Sequence, residues 1–353
     1  MQTITNYQFA VSFFSCYRLF LQVWFIFFSH IVYLLVSSAM NHWEMETAIH
    51  LGVALKEAGF NVSQICCSRI SCFDFAAKKH DITVLLKVAS EIDAYPVSDL
   101  RELKVLASRI PAAASIVSQM SHGKPLEDDT VYTRNSVYVV NEKTIKGIVK
   151  QTMNPLVCAS PGGYTVHVDG ALIERRRKEM ELSIGQLASL VGVSRRTLYG
   201  YERGMAKASV ASAYKLAETL GVPVVKPVNL LAKTRRPPQC LLPKSKHDLM
   251  TKLLLRQVFK KFSSCDISPI HKAPFDFIMS VPHENYLILG GVASSDEPDL
   301  NNRIEEILSI CRVVYAYPVL ITENKKNTNL DLSCCTVEDL RVLRSPEELI
   351  ASA

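Results

Sequence analysis

The sequence predicts an α/β plus all-α architecture, a compact helical bundle set between two α/β domains, the second smaller than the first and resembling it. Three observations predict it. Residues 182–204 (LSIGQLASLVGVSRRTLYGYERG) hold two short stretches of helical periodicity joined by a glycine turn. Ahead of them a helical pattern leads into short continuous apolar runs, above all residues 82–88, as expected of strands buried on both faces. Beyond them the same order of elements returns, with Phe275-Asp276-Phe277 answering Phe73-Asp74-Phe75 ahead of an apolar strand, which reads as a diverged internal duplication.

Residues 1–39 stand apart. Between residues 9 and 36 the chain is apolar and aromatic, interrupted by Arg18, Gln22 and His30, and long enough to cross a bilayer. It lacks the basic start and the small-residue cleavage site of a secretory signal. Two readings stand: a membrane anchor, or sequence upstream of a start at Met40 or Met45. The second is favoured, because residues 45–59 read as an amphipathic domain start. A membrane is then a partner only if residues 1–39 are genuine, and the expected location is cytoplasmic.

The first α/β domain is expected over residues 45–150. A helix at 46–58 closes on Gly59, and strands follow at 61–66, 71–77 and 82–88. A helix at 98–108, strands at 112–117, 131–133 and 137–140, and a small helix from Thr144 complete it. Residues 151–170 read as a structured hinge: Pro161-Gly162-Gly163 is a sharp turn, and 164–168 alternate as a short strand. No Lys-Ser or Lys-Thr follows the glycines, which excludes a P-loop.

The bundle spans residues 171–226. Leu187, Ala188, Leu190, Val193, Leu198 and Tyr201 recur at helical spacing as a small core requires, between a preceding helix at 172–180 and a following one at 210–220 closed by Gly221. Gly192 suits the turn and Ser194 suits the N-cap of the next helix. That helix opens with Arg195, Arg196 and Thr197, side chains able to reach base edges and phosphates in a major groove. The pattern is a helix-turn-helix, and the partner it implies is double-stranded DNA.

Charge distribution agrees with this better than the total does. The 353 residues carry a net charge of only +6. Yet Arg175, Arg176, Arg177 and Lys178 cluster on the first bundle helix, with Arg195, Arg196 and Arg203 close behind. The linker at 227–247 has no acid, carries Lys233, Arg235, Arg236, Lys244 and Lys246, and suits a supplementary phosphate contact. The second α/β domain is expected over 248–353, with helices at 248–262 and 300–311 and strands at 286–289 and 313–321. Ten cysteines include the adjacent pairs Cys66-Cys67 and Cys334-Cys335 but no Cys-x-x-Cys, so buried free thiols are expected rather than disulfides or zinc. No cofactor, metal or small-molecule ligand is identifiable.

The bundle resembles the Cro/C1 (XRE) class of helix-turn-helix repressors through Leu182-Ser183, Gln186-Leu187-Ala188, Gly192-Val193-Ser194 and Tyr201-Glu202-Arg203-Gly204. The resemblance implies that Gln186 contacts a phosphate and that Ser194, Arg195, Arg196, Thr197 and Gly200 face DNA. Arg203 completes the expected set. Gly200 departs from the class, where a longer side chain often reads a base, so readout is expected to shift toward residues 194–197. A homodimer would set two such helices about 34 Å apart on a near-palindromic site.

The α/β domains resemble the restriction-endonuclease-like fold, whose active pattern is an Asp followed by Asp/Glu-x-Lys around Mg²⁺. The first offers Asp74 and Leu85-Leu86-Lys87, and the second offers Asp276 with Leu289 in the lysine's place. Leu85 cannot ligate a metal, so an inactive scaffold is expected and Asp74–Lys87 reads as a structural ion pair. The alternative is a metal-dependent nuclease targeted by the helix-turn-helix, with Glu91 or Asp93 moved into the site. From Met45 onward the chain is similar to a family of archaeal helix-turn-helix transcriptional regulators with a nuclease-like N-terminal domain. The likeness is carried by residues 68–74 (SRISCFD), Leu86-Lys87-Val88, Leu126-Glu127-Asp128, residues 159–164 (ASPGGY), Asp169-Gly170 and residues 193–197 (VSRRT). The implied role is transcriptional regulation, not catalysis.

Overall fold

The computed structural model describes residues 40–160, 162–234, 249–281, 286–294, 297, 299–322, 332–343 and 345–351. The apolar stretch at 1–39 and the linker arginines and lysines from Arg235 to Lys246 lie outside them. The chain divides into two units between residues 46 and 47. In the first, Asn41 and Glu44 cap a helix start reciprocally: Glu44 N–H donates to Asn41 Oδ1 (2.9 Å) and Asn41 N–H to Glu44 Oε2 (3.2 Å).

In the second unit, residues up to 149 build an α/β segment. Helix α1 (His42–Glu57) leads to β1 (Asn61–Val62), β2 (Phe75–Lys79) and β3 (Ile82–Glu91). Helix α2 (Val97–Arg109) crosses to β4 (Ala113–Ser121), and β5 (Lys124–Pro125), β6 (Thr130–Arg134), β7 (Val137–Val140) and α3 (Glu142–Val149) follow. Strands β1, β2 and β3 pair antiparallel, and β3, β4 and β7 pair parallel. The apolar runs VLL in β3 and SIV in β4 form its centre, buried on both faces.

The sheet does not stop at β6. Strand β8 (Val157–Ser160) pairs parallel with β6, and β9 (Gly163–Val168) pairs antiparallel with β8. Four helices follow: α4 (Gly170–Glu179), α5 (Ile184–Val191), α6 (Arg195–Glu202) and α7 (Val210–Leu220). Two short strands, β10 (Ala208–Ser209) before α7 and β11 (Val225–Lys226) after it, both pair with β9. The stretch read as a hinge is thus hydrogen-bonded on both sides, and the helical bundle is tied into the sheet.

The remaining segment has α8 (Leu249–Lys261), β12 (Asp266–Pro269), β13 (Phe277–Ser280), β14 (Leu287–Ala293), α9 (Leu300–Val314), β15 (Ala316–Thr322), β16 (Ser333–Thr336), α10 (Val337–Val342) and α11 (Pro346–Ala351). Strands β12, β13 and β14 pair antiparallel, and β14, β15 and β16 parallel, repeating the pattern of β1, β2, β3, β4 and β7. The duplication read from the Phe-Asp-Phe triplets is present in the topology.

The two α/β segments pack through equivalent surfaces. Phe73 and Phe275, matching members of the two triplets, meet with ring centroids 6.4 Å apart. Glu306 on α9 accepts the N–H groups of Cys67 (2.7 Å) and Ser68 (2.8 Å) in the first segment. Glu102 on α2 accepts those of His271 and Lys272 (2.7 Å) in the second. One continuous core runs through both, from Leu85 and Leu103 to Leu289 and Ile307. This is the self-complementary contact of a two-fold dimer, formed within one chain.

Three element boundaries differ from the sequence reading. The strand expected at 61–66 ends at Val62, and Phe73-Asp74 precede β2, because residues 63–74 form the loop that meets α9. Val313 belongs to α9, which runs to Val314 and ends where Tyr315 turns left-handed (φ 59°). Glu306 is buried, so Glu306→Ala leaves two N–H groups without an acceptor. The expected loss is about 3 kcal/mol of unfolding free energy in urea, with Glu102→Ala close to it; a loss below about 0.5 kcal/mol would show that water replaces the carboxylate.

Candidate nucleic-acid interface

The helix-turn-helix forms because each local signal agrees with the next. Ser183 caps α5, and the cap is reciprocal: Gln186 N–H donates to Ser183 Oγ (3.2 Å) and Ser183 N–H to Gln186 Oε1 (2.8 Å). Gly192 ends α5 at φ 78°, a left-handed conformation that favours glycine. Ser194 then caps α6 by accepting Thr197 N–H (3.0 Å). Leu187, Ala188, Val191, Leu198, Tyr201, Ala213 and Leu216 fill the core beneath. Leu190, expected in that core, is 59% exposed; Val191 takes its place, since the buried face of α5 runs through 187, 188 and 191.

A buried ion pair locks α4, the first helix of the bundle, to α6. Arg177 Nε and Nη2 donate to Glu202 Oε1 (2.6 Å) and Oε2 (3.1 Å), and Nη1 donates to Leu182 O (2.9 Å). The hydrogen bond to Glu202 raises the Arg177 pKa further. Gly170 permits the approach: a Cβ there would lie 2.2 Å from Glu202 O. The basic cluster read on the first bundle helix is therefore divided between one buried cation and three in solvent-facing ion pairs. Arg177 is structural, Arg175 and Arg176 pair with Glu179, and Lys178 pairs with Glu174.

The start of α6 is exposed as well. Arg195 and Arg196 form no ion pair among the described residues and project from its first turn. A Cβ at Gly185 would lie 2.7 Å from Arg195 Nε, so the Arg195 side chain lies back over the start of α5, where Gln186 is also exposed. Arg196 is left as the cation nearest the helix start without that support. Ser194 Oγ and Thr197 Oγ1 hold each other at 2.8 Å, and Arg203 stacks its guanidinium 5.6 Å from the Tyr199 ring centre. A Cβ at Gly200 would make ordinary van der Waals contact with Ala206 at 3.4 Å. Gln186, Ser194, Arg195, Arg196 and Thr197 thus share the outer surface of α5 and α6, an arrangement suited to a phosphate contact beside a major-groove helix start.

On β9, His167 adjoins this bundle. Burial and the nearby Lys207 hold its pKa below the ordinary value, and its Nε2 is buried without a partner.

The residues of the endonuclease-like pattern lie elsewhere and do not fit a Mg²⁺ ion. Asp74 Oδ1 accepts Lys87 Nζ (2.6 Å) and Oδ2 accepts Val88 N–H (2.6 Å), so the ion pair read from sequence is present. Leu85, at the second acid's position, is fully buried in the shared core. Glu91 and Asp93 do not move in: Glu91 accepts Gly123 N–H (3.1 Å), and Asp93 accepts Ser121 Oγ (3.0 Å) and His122 N–H (2.6 Å).

In the second segment Asp276 Oδ2 accepts Val292 N–H (2.6 Å), which aligns Val292 with Val88, Gly291 with Lys87 and Leu289 with Leu85. Leu289 therefore stands in the second acid's place and not the lysine's. The hairpin before β14 is longer than its counterpart, and equal spacing from the Asp misplaces the register. Arg303, fully buried on α9, supplies the missing cation to Asp276 and also binds Glu297. Among the described residues no group of three His, Cys, Asp or Glu side chains is placed to hold a metal.

Two measurements check these assignments. Glu202→Ala strands Arg177 in the bundle and is expected to cost about 3–5 kcal/mol in chemical unfolding, whereas the double change Arg177→Met with Glu202→Leu costs much less. His167 has a folded pKa below its unfolded value near 6.5, so the folded state binds fewer protons and stability is lost as pH falls through about 6.5. His167→Leu is expected to flatten that part of the stability–pH curve, and an unchanged curve would place the titration elsewhere.

Comparison with known proteins agrees with the geometry. A PD-(D/E)XK superfamily domain matches residues 45–155 and a helix-turn-helix domain matches residues 173–226. A Methanocaldococcus jannaschii protein is 29% identical over 79% of this chain and 87% of its own length. A Methanosarcina acetivorans protein is 33% identical over 70% of this chain and 77% of its own. One from Methanoculleus marisnigri is 30% identical over 83% of this chain and 93% of its own. All three are provisionally named HTH-type transcriptional regulatory proteins. With identity at this level across most of both chains, the protein belongs to this archaeal family of HTH-type transcriptional regulatory proteins.

Proposed function

We propose that the chain is a sequence-specific DNA-binding transcriptional regulator that reads its operator with the first turn of α6. The observation carrying this reading is the placement of Arg195 and Arg196, exposed and without an ion-pair partner among the described residues, at a capped helix start. Arg196 is assigned to a guanine edge, Arg195 and Gln186 to phosphate or an adjacent base, and Ser194 and Thr197 to the helix start itself. Arg203 and Gly200 border the surface, and Gly200 leaves the middle of α6 without a reading side chain. The names of the archaeal relatives support the regulatory role.

In this proposal the α/β segments are a scaffold and not an enzyme, with Leu85 and Leu289 where a second metal ligand would be needed. Lys87 paired with Asp74 and Arg303 paired with Asp276 support the scaffold reading over the nuclease alternative. Two copies of the chain bind a near-palindromic site as a homodimer, and the protein acts in the cytoplasm, where its DNA is. No helix among the described residues is long and apolar enough to cross a membrane.

The test is a binding series on genomic fragments selected by the wild-type protein. Arg195→Ala with Arg196→Ala is expected to lower specific affinity about a hundredfold or more, at one to three kcal/mol for each lost base contact. Unfolding should be unchanged, since both side chains are exposed. Undiminished specific binding would overturn the assignment of the reading helix.

A further inference from the structure

Four glycines sit where a Cβ would come closer than 3.0 Å to another atom, and at three of them the obstacle is fixed. A Cβ at Gly170 would meet the Glu202 carbonyl oxygen at 2.2 Å, at Gly290 the Phe277 ring at 1.9 Å, and at Gly147 the Met153 Cβ at 2.7 Å. Those three serve packing. Gly185 differs, because its space is taken by Arg195 Nε (2.7 Å), Nη2 (2.9 Å) and Cζ (3.0 Å), the far end of an exposed, flexible side chain. Helix α5 itself has no use for a glycine at its second position, where alanine is favoured by backbone entropy. What Gly185 supplies is a place for the Arg195 guanidinium against the first turn of α5.

The surroundings say what that place is good for. Gln186 follows Gly185, and its Oε1 accepts Ser183 N–H (2.8 Å), so its side chain has only amide N–H groups left to offer. Arg195 forms no ion pair among the described residues. Its contact with Gly185 also brings the starts of α5 and α6 together, and both carry the partial positive charge of a helix N-terminus. Glutamine and guanidinium donors beside two helix starts favour an anion with several acceptor oxygens, and on DNA that group is a backbone phosphate.

We propose that Gly185 divides the work of the two arginines: by admitting the Arg195 guanidinium against α5 it assigns Arg195 to a phosphate beside Gln186, and it leaves Arg196 to read a base edge. This rests on the DNA-binding reading above and narrows it. A side chain at 185 removes the place. Even a methyl group pushes the guanidinium out toward the open side of the first turn of α6, where Arg196 already projects. A second arginine then reaches for guanine O6 and N7. Gly185 is thus a positioning residue that sets specificity through Arg195.

Two measurements on the full chain test this. The first needs no DNA: with glycine and arginine selectively labelled, a nuclear Overhauser contact between Gly185 Hα and Arg195 Hδ is expected, and its absence would overturn the placement. The second is selection of bound sequences, with affinities at two salt concentrations, for the wild type and three variants. Arg195→Ala is expected to weaken all sequences alike, about tenfold, and to reduce the salt slope by about 1, as loss of a phosphate contact does. Gly185→Ala, unfolding no more easily than the wild type, is expected to favour guanine about fivefold or more at one base pair that the wild type does not read. Arg195→Ala with Gly185→Ala should match Arg195→Ala alone. An unchanged preference in Gly185→Ala, a new preference that persists without Arg195, or base preference lost in Arg195→Ala would overturn the proposal. If the wild type selected no sequence, the DNA-binding reading would fail and take the division of work with it, while the nuclear Overhauser contact would still decide where Arg195 lies.

Discussion

Two glutamates, each reaching across to the other half, hold the α/β part of this molecule together. The loops at 67–68 and 271–272 each present consecutive backbone N–H groups to the partly buried seam between the segments. Glu306 and Glu102 supply the acceptors, each from the central helix of the opposite segment. Neither segment satisfies its own loop; each takes its acceptor from the counterpart. Burial raises the Glu306 pKa, and the hydrogen bonds from the Ser68 hydroxyl and from Cys67 and Ser68 N–H oppose that rise without cancelling it. The Phe73–Phe275 contact and the shared core then follow from the same pseudo-two-fold relation.

The bundle depends on the first segment in a different way. A flexible tether would leave the recognition helix free to tumble, and hydrogen bonds prevent it here. Strand β9 carries β8 on one side and β10 and β11 on the other, and Asp169 at its end caps α4 by accepting Leu172 N–H (3.0 Å). From α4 the restraint passes to α6 through Arg177–Glu202 and the close approach at Gly170. An unbroken series of backbone and ionic contacts therefore runs from the sheet to α6.

How much of this the sequence revealed depends on the distance over which each cause acts. The helix-turn-helix was legible because its causes are local: a serine cap three residues before its donor, a glycine at a left-handed turn, apolar residues at helical spacing. Its errors were local too, since Leu190 and Val191 differ only by one step around the helix and either satisfies a loose apolar count. Arg177 looked like its neighbours until Glu202 was brought against it. The order of elements in both α/β segments was legible from apolar runs, but the Glu102 and Glu306 contacts join residues far apart in sequence and leave no pattern along it. The place of Leu289 was misjudged because hairpin length, invisible to spacing alone, shifts the register.

The surviving and lost members of the endonuclease-like pattern sort by what else they do for the chain. Asp74 and Asp276 are present in both segments, and in both one carboxylate oxygen accepts a strand N–H, from Val88 and Val292. An aspartate at this point closes the hairpin against the loop before it, whether or not a metal is bound. The second acid has no such duty. Leu85 and Leu289 instead enter one continuous core across the pseudo-two-fold interface, where a carboxylate would be desolvated without a partner. The lysine position is intermediate: Lys87 neutralises Asp74 in one segment, and in the other Gly291 leaves room for Arg303 to neutralise Asp276 from α9. What persists is therefore the buried carboxylate and a cation to balance it. Joining the two segments through a dry apolar interface and keeping a second carboxylate at 85 or 289 are incompatible demands, and this chain meets the first.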